Sequence, residues 1–251
     1  MNVYKYILRR TLVYISPKKR IRIAKNKVLN WIRFWGSYRS YTNLQPVDGR
    51  SFEFYPCIEE WTASTYIEPT YFYQDAWAFE HIVKKKPKSH LDVGSHNKYV
   101  ALLSKVLPVT MVDIRPLSLE MDSIKFVEGS VLNLNFPDKS LESVSSLCVI
   151  EHIGLGRYGD PLNPNGSIEA FRELMRVIRP GGDLYISFPI EENGKTYFNA
   201  HRAFNETDFL ELAVGFRVLD KKYIYGNKFT SEYSAKFGVG CYWLQREDFD
   251  K

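Results

Sequence analysis

The stretch His90-Leu91-Asp92-Val93-Gly94-Ser95-His96-Asn97-Lys98-Tyr99-Val100 decides how the rest of this chain is organised. Leu91 to Val93 is a short apolar run closed by a glycine, which is how a buried parallel strand reads where it turns into a helix. Gly94 accepts the backbone angles of a tight turn and lets a ligand come close. A second strand, Val109-Thr110-Met111-Val112, is closed by Asp113. A glycine after the first strand and an acid after the second suit a nucleoside-bearing cofactor, with the acid accepting the ribose hydroxyls. A dinucleotide loop carries three spaced glycines. Here Ser95, His96, Asn97 and Lys98 follow the first.

Outward from that stretch, short apolar strands are expected at 90–93, 109–113, 124–127, 144–149, 183–188, 216–224 and 238–245. Helices are expected at 71–83, 98–106, 167–178 and 206–213, the first of them stopped by Pro87. Strands interleaved with helices indicate an α/β protein with a mostly parallel sheet of seven strands. Gly226, Asn227 and their polar neighbours leave no room for a helix between the last two strands, so the last strand is expected to run antiparallel.

The 251 residues suit one medium domain with an extension. Eleven of the 34 Lys and Arg lie in residues 1–40, with none of the 29 Asp and Glu. A basic arm therefore precedes a mildly acidic body, and the arm suits an anionic partner. Ile21, Ala24, Val28, Ile32 and Trp35 recur at steps of three or four, one face of a helix from Pro17 to about Trp35. Such a helix fits the interface of an anionic membrane. It equally fits packing on its own domain or against a second subunit; nucleic acid is the weakest of the three. Residues 36–50 read as a linker and 52–79 as an aromatic-rich segment, giving an arm at 1–40, a linker and cap at 41–87, and a main domain at 88–251.

No apolar run reaches the ~18 residues that span a bilayer, and the N-terminus lacks the cleavage site of a secretory signal. Cys57, Cys148 and Cys241 are far apart and read as reduced thiols. These features point to the cytoplasm, with the arm as a peripheral contact on the inner face of the membrane. His81, His90 and His96 have no metal-type spacing with a carboxylate, so no metal site is expected.

Three further pieces complete a pattern: Gly129-Ser130-Val131 after the third strand, Glu151-His152-Ile153 after the fourth, and Arg179-Pro180-Gly181-Gly182 before the fifth. In this order the set resembles the class I S-adenosylmethionine-dependent methyltransferases over roughly residues 88–246. The resemblance implies a Rossmann-like sheet flanked by helices and S-adenosyl-L-methionine as cofactor. It implies cofactor contacts at Asp92, Gly94, Ser95, His96, Asp113, Ser130, Val131 and Glu151. The run from Glu151 to Pro161, with Asn199-Ala200-His201-Arg202 later, looks like a methyltransferase-like branch of unassigned function. Some related sequences look like enzymes of surface-polysaccharide synthesis, which implies O-methylation of a glycan or lipid-linked saccharide.

Methyl transfer needs alignment and removal of a proton from the acceptor. His152 is the first choice of base, because an ordinary imidazole titrates near neutrality. His201 is the second, and Arg157, Asp160 and Arg202 are candidates for holding the acceptor. Two rival readings remain: a catalytically inactive adapter on the same fold at a membrane, and a nicotinamide-dependent oxidoreductase, which the missing glycines disfavour.

Overall fold

The computed structural model describes residues 16–44 and 53–248. The first fifteen residues of the arm, residues 45–50 of the linker and Phe52 lie outside the described residues. The chain divides into two units, Met1–Tyr66 and Ile67–Lys251. The division falls inside the segment read as a linker and cap, so the helix that follows belongs with the main unit.

In the first unit, helix α1 spans Pro17–Thr42. It runs past Trp35 and through Gly36, where the sequence suggests a turn. One glycine costs a helix only about 1 kcal/mol, too little to end it. Eight Lys and Arg and no acid lie along it. Ile21, Val28, Ile32 and Trp35 are 69, 60, 62 and 46% exposed, so among the described residues of this unit the apolar stripe is largely open. Phe54 stacks on Trp35 with centroids 5.5 Å apart and meets Phe34 edge-on at 5.4 Å.

The second unit is an α/β sandwich. Helix α2, Pro69–Lys85, starts where the Glu68 side chain accepts the Tyr71 N–H at 2.8 Å. It ends at Lys86, which is left-handed (φ 53°), just before Pro87. There follow β1 (His90–Val93), α3 (Asn97–Leu103), β2 (Val109–Asp113), β3 (Ile124–Glu128) and β4 (Leu141–Leu147). Next come a short 3-10 turn at Ile150–His152, α4 (Gly166–Val177) and β5 (Ile178–Ile190). The chain continues through β6 (Lys195–Tyr197), β7 (His201–Ala203), α5 (Glu206–Leu210), β8 (Phe216–Tyr225), β9 (Lys228–Thr230) and β10 (Gly238–Arg246).

The main sheet has the order β3-β2-β1-β4-β5-β10-β8-β9. Strands β1 to β5 pair in parallel, and β10 runs antiparallel between β5 and β8. The sheet holds one strand more than expected, because the three-residue β9 folds back on β8. Strands β6 and β7 form a separate hairpin. Helix α4 buries Ala170, Phe171, Leu174 and Val177 completely. Each of the larger side chains contributes roughly 1.5–3 kcal/mol on burial. The sheet carries one core on each face.

Strand β1 is buried throughout, yet two of its four residues are His90 and Asp92. A chain of hydrogen bonds satisfies them. Ser143 Oγ lies 2.8 Å from His90 Nδ1, His90 Nε2 lies 2.8 Å from Ser145 Oγ, and Ser145 Oγ donates to Asp92 Oδ2 at 2.5 Å. Burial holds His90 down to about 3, so it is neutral at physiological pH and can accept from one serine and donate to the other.

Candidate functional site

Strand order reverses between β1 and β4, since the chain runs outward through β2 and β3 and then returns. In open α/β sheets ligands bind beyond the carboxyl ends of the strands at such a point. Gly94 lies there with φ +69°. A Cβ on it would lie 3.0 Å from Val149 Cγ1 and 3.9 Å from Asp113 Oδ2. The turn thus brings the ends of β1, β2 and β4 together, and only glycine fits it without strain.

Several sequence candidates prove to be framework. Asp92 is fully buried; its Oδ1 accepts the Ser95 N–H at 3.1 Å and its Oδ2 the Ser145 hydroxyl. It shapes the turn instead of reaching a ligand. Ser95 Oγ accepts the Leu147 N–H at 3.0 Å and ties the turn to β4. Val131 points into the core, 5% exposed, so only its backbone is available to a ligand. Ser130 Oγ accepts the Leu132 N–H at 3.2 Å, which leaves its own proton to donate.

The acceptor-side candidates divide in the same way. Arg202, 8% exposed, donates to Ile153 O at 2.6 Å, Ser167 Oγ at 2.9 Å and Asn163 O at 3.1 Å. Asp160 accepts from the Gly154 and Tyr158 N–H groups at 2.6 and 3.3 Å. Both residues hold the loop after β4 in shape and are not free to grip a substrate. Their charges suggested otherwise in the sequence, where the backbone groups they satisfy are not visible.

His152, Arg157 and His201 do come together. The carbonyl of Ala200, in the β6–β7 hairpin, lies 2.7 Å from His152 Nδ1 and accepts from Arg157 Nη1 at 2.9 Å. A carbonyl only accepts, so Nδ1 carries the proton and Nε2 presents a lone pair. Burial holds His152 down to about 4, against the opposing pull of the Ala200 bond. His201 has a buried, unpartnered Nε2, with its ring 5.0 Å from Tyr197 and 5.7 Å from Phe237. His96 opens α3 and also leaves a buried nitrogen, Nδ1, without a partner. Lys98 is exposed on the same helix.

Glu151 is 2% exposed; its carboxyl is hydrogen-bonded with the Cys148 thiol, and its Oε2 has no partner at hydrogen-bond distance among the described residues. Its Oε1 lies 3.7 Å from His152 Nε2. Burial drives its carboxyl up to about 8. Beside it Cys148 takes a left-handed conformation, φ 52°, rare for a residue with a side chain. Its N–H donates to Ser187 O and to Ser187 Oγ, both at 3.0 Å, and its thiol to Gln74 Oε1 at 3.1 Å. Unusual backbone held by surrounding bonds is a feature of functional sites.

Helix α2 supplies residues that local sequence patterns did not single out. The Tyr71 ring lies 4.9 Å from His96. Its phenol is raised by burial first, then by Cys148, Tyr158 and Glu151. Asp75 is raised to about 7 by burial, with Asp92 adding to the effect. Asp113 accepts the Arg115 N–H at 2.9 Å, and the Arg115 guanidinium lies over the Tyr158 ring, 4.4 Å from its centroid. Arg157 approaches the same ring at 5.1 Å.

Among the described residues no group of three or more His, Cys, Asp or Glu is placed to hold a metal ion. Two open grooves lie elsewhere, about 460 Å³ between α2 and β8–β9 and about 430 Å³ beside the β6–β7 hairpin.

A comparison with curated proteins finds no match. Among solved structures the chain is similar to 1,6-didemethyltoxoflavin-N1-methyltransferase of Burkholderia thailandensis, with 18% identity and a TM-score of 0.53, covering 70% of this chain and 79% of that one. It is similar to the N-methyltransferase NodS of Bradyrhizobium japonicum, with 11% identity and a TM-score of 0.53, covering 72 and 98%. A putative sarcosine dimethylglycine methyltransferase from Galdieria sulphuraria matches with 15% identity and a TM-score of 0.52, covering 70 and 86%. The fold is therefore that of the class I methyltransferases. Residues 103–236, just over half the chain, match the family described as "Caenorhabditis protein of unknown function, DUF268", and the chain belongs to that family.

Proposed function

We propose that this protein is a methyltransferase that uses S-adenosyl-L-methionine on a small-molecule acceptor. The observation that carries this reading is the meeting of Gly94, Asp113 and Val149 at the switch point. Gly94 allows close approach of the methionine part. Asp113 Oδ2 is available to the ribose hydroxyls, and the Ser130 hydroxyl and the backbone of 129–131 to the adenine. The residues fit the cofactor without a phosphate cradle, which this cofactor does not need. When bound, it supplies an electrophilic methyl group on a sulfonium. The loop after β4 and the β6–β7 hairpin, clasped through Ala200, would wall off the acceptor side. Calorimetry tests the reading: binding of S-adenosylmethionine and of S-adenosylhomocysteine is expected, and absence of both would sink it.

The saccharide oxygen implied by resemblance, and the His152 base argued from the ordinary range of an imidazole, draw less support. His152 is neutral and well oriented, but an imidazole held near 4 accepts a proton weakly at neutral pH. Arg157 remains a group that can hold an anionic part of the acceptor. No described helix is long and apolar enough to cross a membrane. The exposed apolar residues and eight cations of α1 support contact with an anionic membrane surface. Each cation near such a surface contributes about 1 kcal/mol. The full chain is expected to float with anionic liposomes and to stay behind when residues 1–40 are removed; flotation unchanged by that truncation would exclude the arm as the anchor.

A further inference from the structure

The orphaned oxygen of Glu151 has a use that the methyl-transfer reading leaves open. A carboxyl that is 2% exposed with one oxygen unpartnered is costly unless a ligand completes it. Its surroundings come from several elements. The Cys148 thiol, hydrogen-bonded with the carboxyl, and His152 lie on the same turn, Tyr71 on α2, and Arg157 on the loop beyond. His152 is fixed by Ala200 and carries no charge at neutral pH. The Cys148 thiol is held well above its ordinary range by burial and stays protonated. Glu151 is thus a group in this wall that can take up or give a proton near neutral pH, with Asp75 on α2, raised to about 7, as a second.

We propose that Glu151 accepts the proton of an amine, so that the acceptor of this enzyme is a primary or secondary amine. The inference rests on the methyl-transfer reading above. The amine arrives as an ammonium ion and pairs with the Glu151 carboxylate, which completes Oε2. Its proton passes to Glu151, and the freed nitrogen lone pair forms the N–C bond as the C–S bond breaks and sulfur keeps the electron pair. The proton on Glu151 then leaves to solvent with the product. A carboxyl driven up to about 8 lies far nearer to an ammonium ion, of which an α-amino group loses its proton in the same range, than an ordinary carboxyl does. A hydroxyl holds its proton far more tightly.

Sinefungin and S-adenosylhomocysteine make the test. Sinefungin carries an amine where the cofactor carries its reactive methyl, whereas S-adenosylhomocysteine carries nothing there. Wild-type protein is expected to bind sinefungin on the order of tenfold more tightly at about pH 7. Roughly one proton should be released on binding, read by calorimetry in buffers of different ionisation enthalpy. The release should fade at about pH 9, where Glu151 is already ionised in the free protein. Glu151→Gln should lose both the preference for sinefungin over S-adenosylhomocysteine and the proton release. If that variant fails to fold, Glu151→Asp takes its place and should shift the pH at which the release fades; an unshifted release overturns the proposal. Equal binding of the two ligands with no proton release overturns the proposal. Binding of neither ligand overturns the methyl-transfer reading itself.

Discussion

Replacing Asp113 with alanine is expected to weaken binding of S-adenosylmethionine on the order of a hundredfold while leaving the fold intact. Hydrogen bonds to an ionised carboxylate contribute about 1.5–3 kcal/mol each, and a ribose diol makes two. The loss is specific because Asp113 ends β2, with its side chain 16% exposed and its Oδ2 on the side of Gly94. Its other oxygen is engaged with the Arg115 N–H, which steadies the carboxylate in place. Asn at the same position should recover part of the loss, since one acceptor oxygen remains. Calorimetric affinities for the three proteins, with a thermal melt on each, check this. An alanine variant that binds within about threefold of the wild type would remove Asp113 from the site.

Gly154→Ala is expected to produce the largest loss of stability among the glycine positions of the loop after β4. Gly154 has φ +81°, and a Cβ there would collide with the Asn163 backbone carbonyl. That carbonyl accepts from Arg202, and the Asn163 N–H donates to Gly154 O at 2.9 Å. Displacing Asn163 therefore loosens the bonds that satisfy a buried guanidinium. The cost is about 3–5 kcal/mol, or roughly 6–20 °C in Tm for a unit of this size. Gly159→Ala is the control: φ is +90° but the space is open, so only backbone strain of about 1–2 kcal/mol applies. Equal losses in the two melts would show that the collision at Asn163 is not the cause.

The fold was legible in the sequence because strand ends and turns carry local marks. Gly94, Asp113 and Pro87 each punctuate an element, and the pattern of 109–113 or 238–245 stands on its neighbours alone. Strand β9 was missed because three residues carry no periodicity. Helix α1 runs past its expected end because Gly36 resembles a stop in the sequence yet costs a helix little. The site was legible only in outline. Asp92, Ser95, Asp160 and Arg202 have the chemistry of ligand-binding groups, and nothing local shows that buried backbone partners already occupy them. Tyr71, Gln74 and Asp75 reach the site across the top of the sheet from a helix that precedes β1. Their sequence separation from Glu151 and Cys148 hides the contact.

Strand β10 comes last in chain order yet fills an interior slot between β5 and β8. A ribosome-bound chain that has emerged only as far as residue 237 therefore holds β5 and β8 with their inner edges bare. Leu184 and Ile186 on β5 and Tyr223 on β8, all buried in the finished sheet, lie along those strands. Such edges invite pairing with other chains. Synthesis of this protein thus passes through a stage that favours a chaperone, and the stage ends when the final strand is threaded into place.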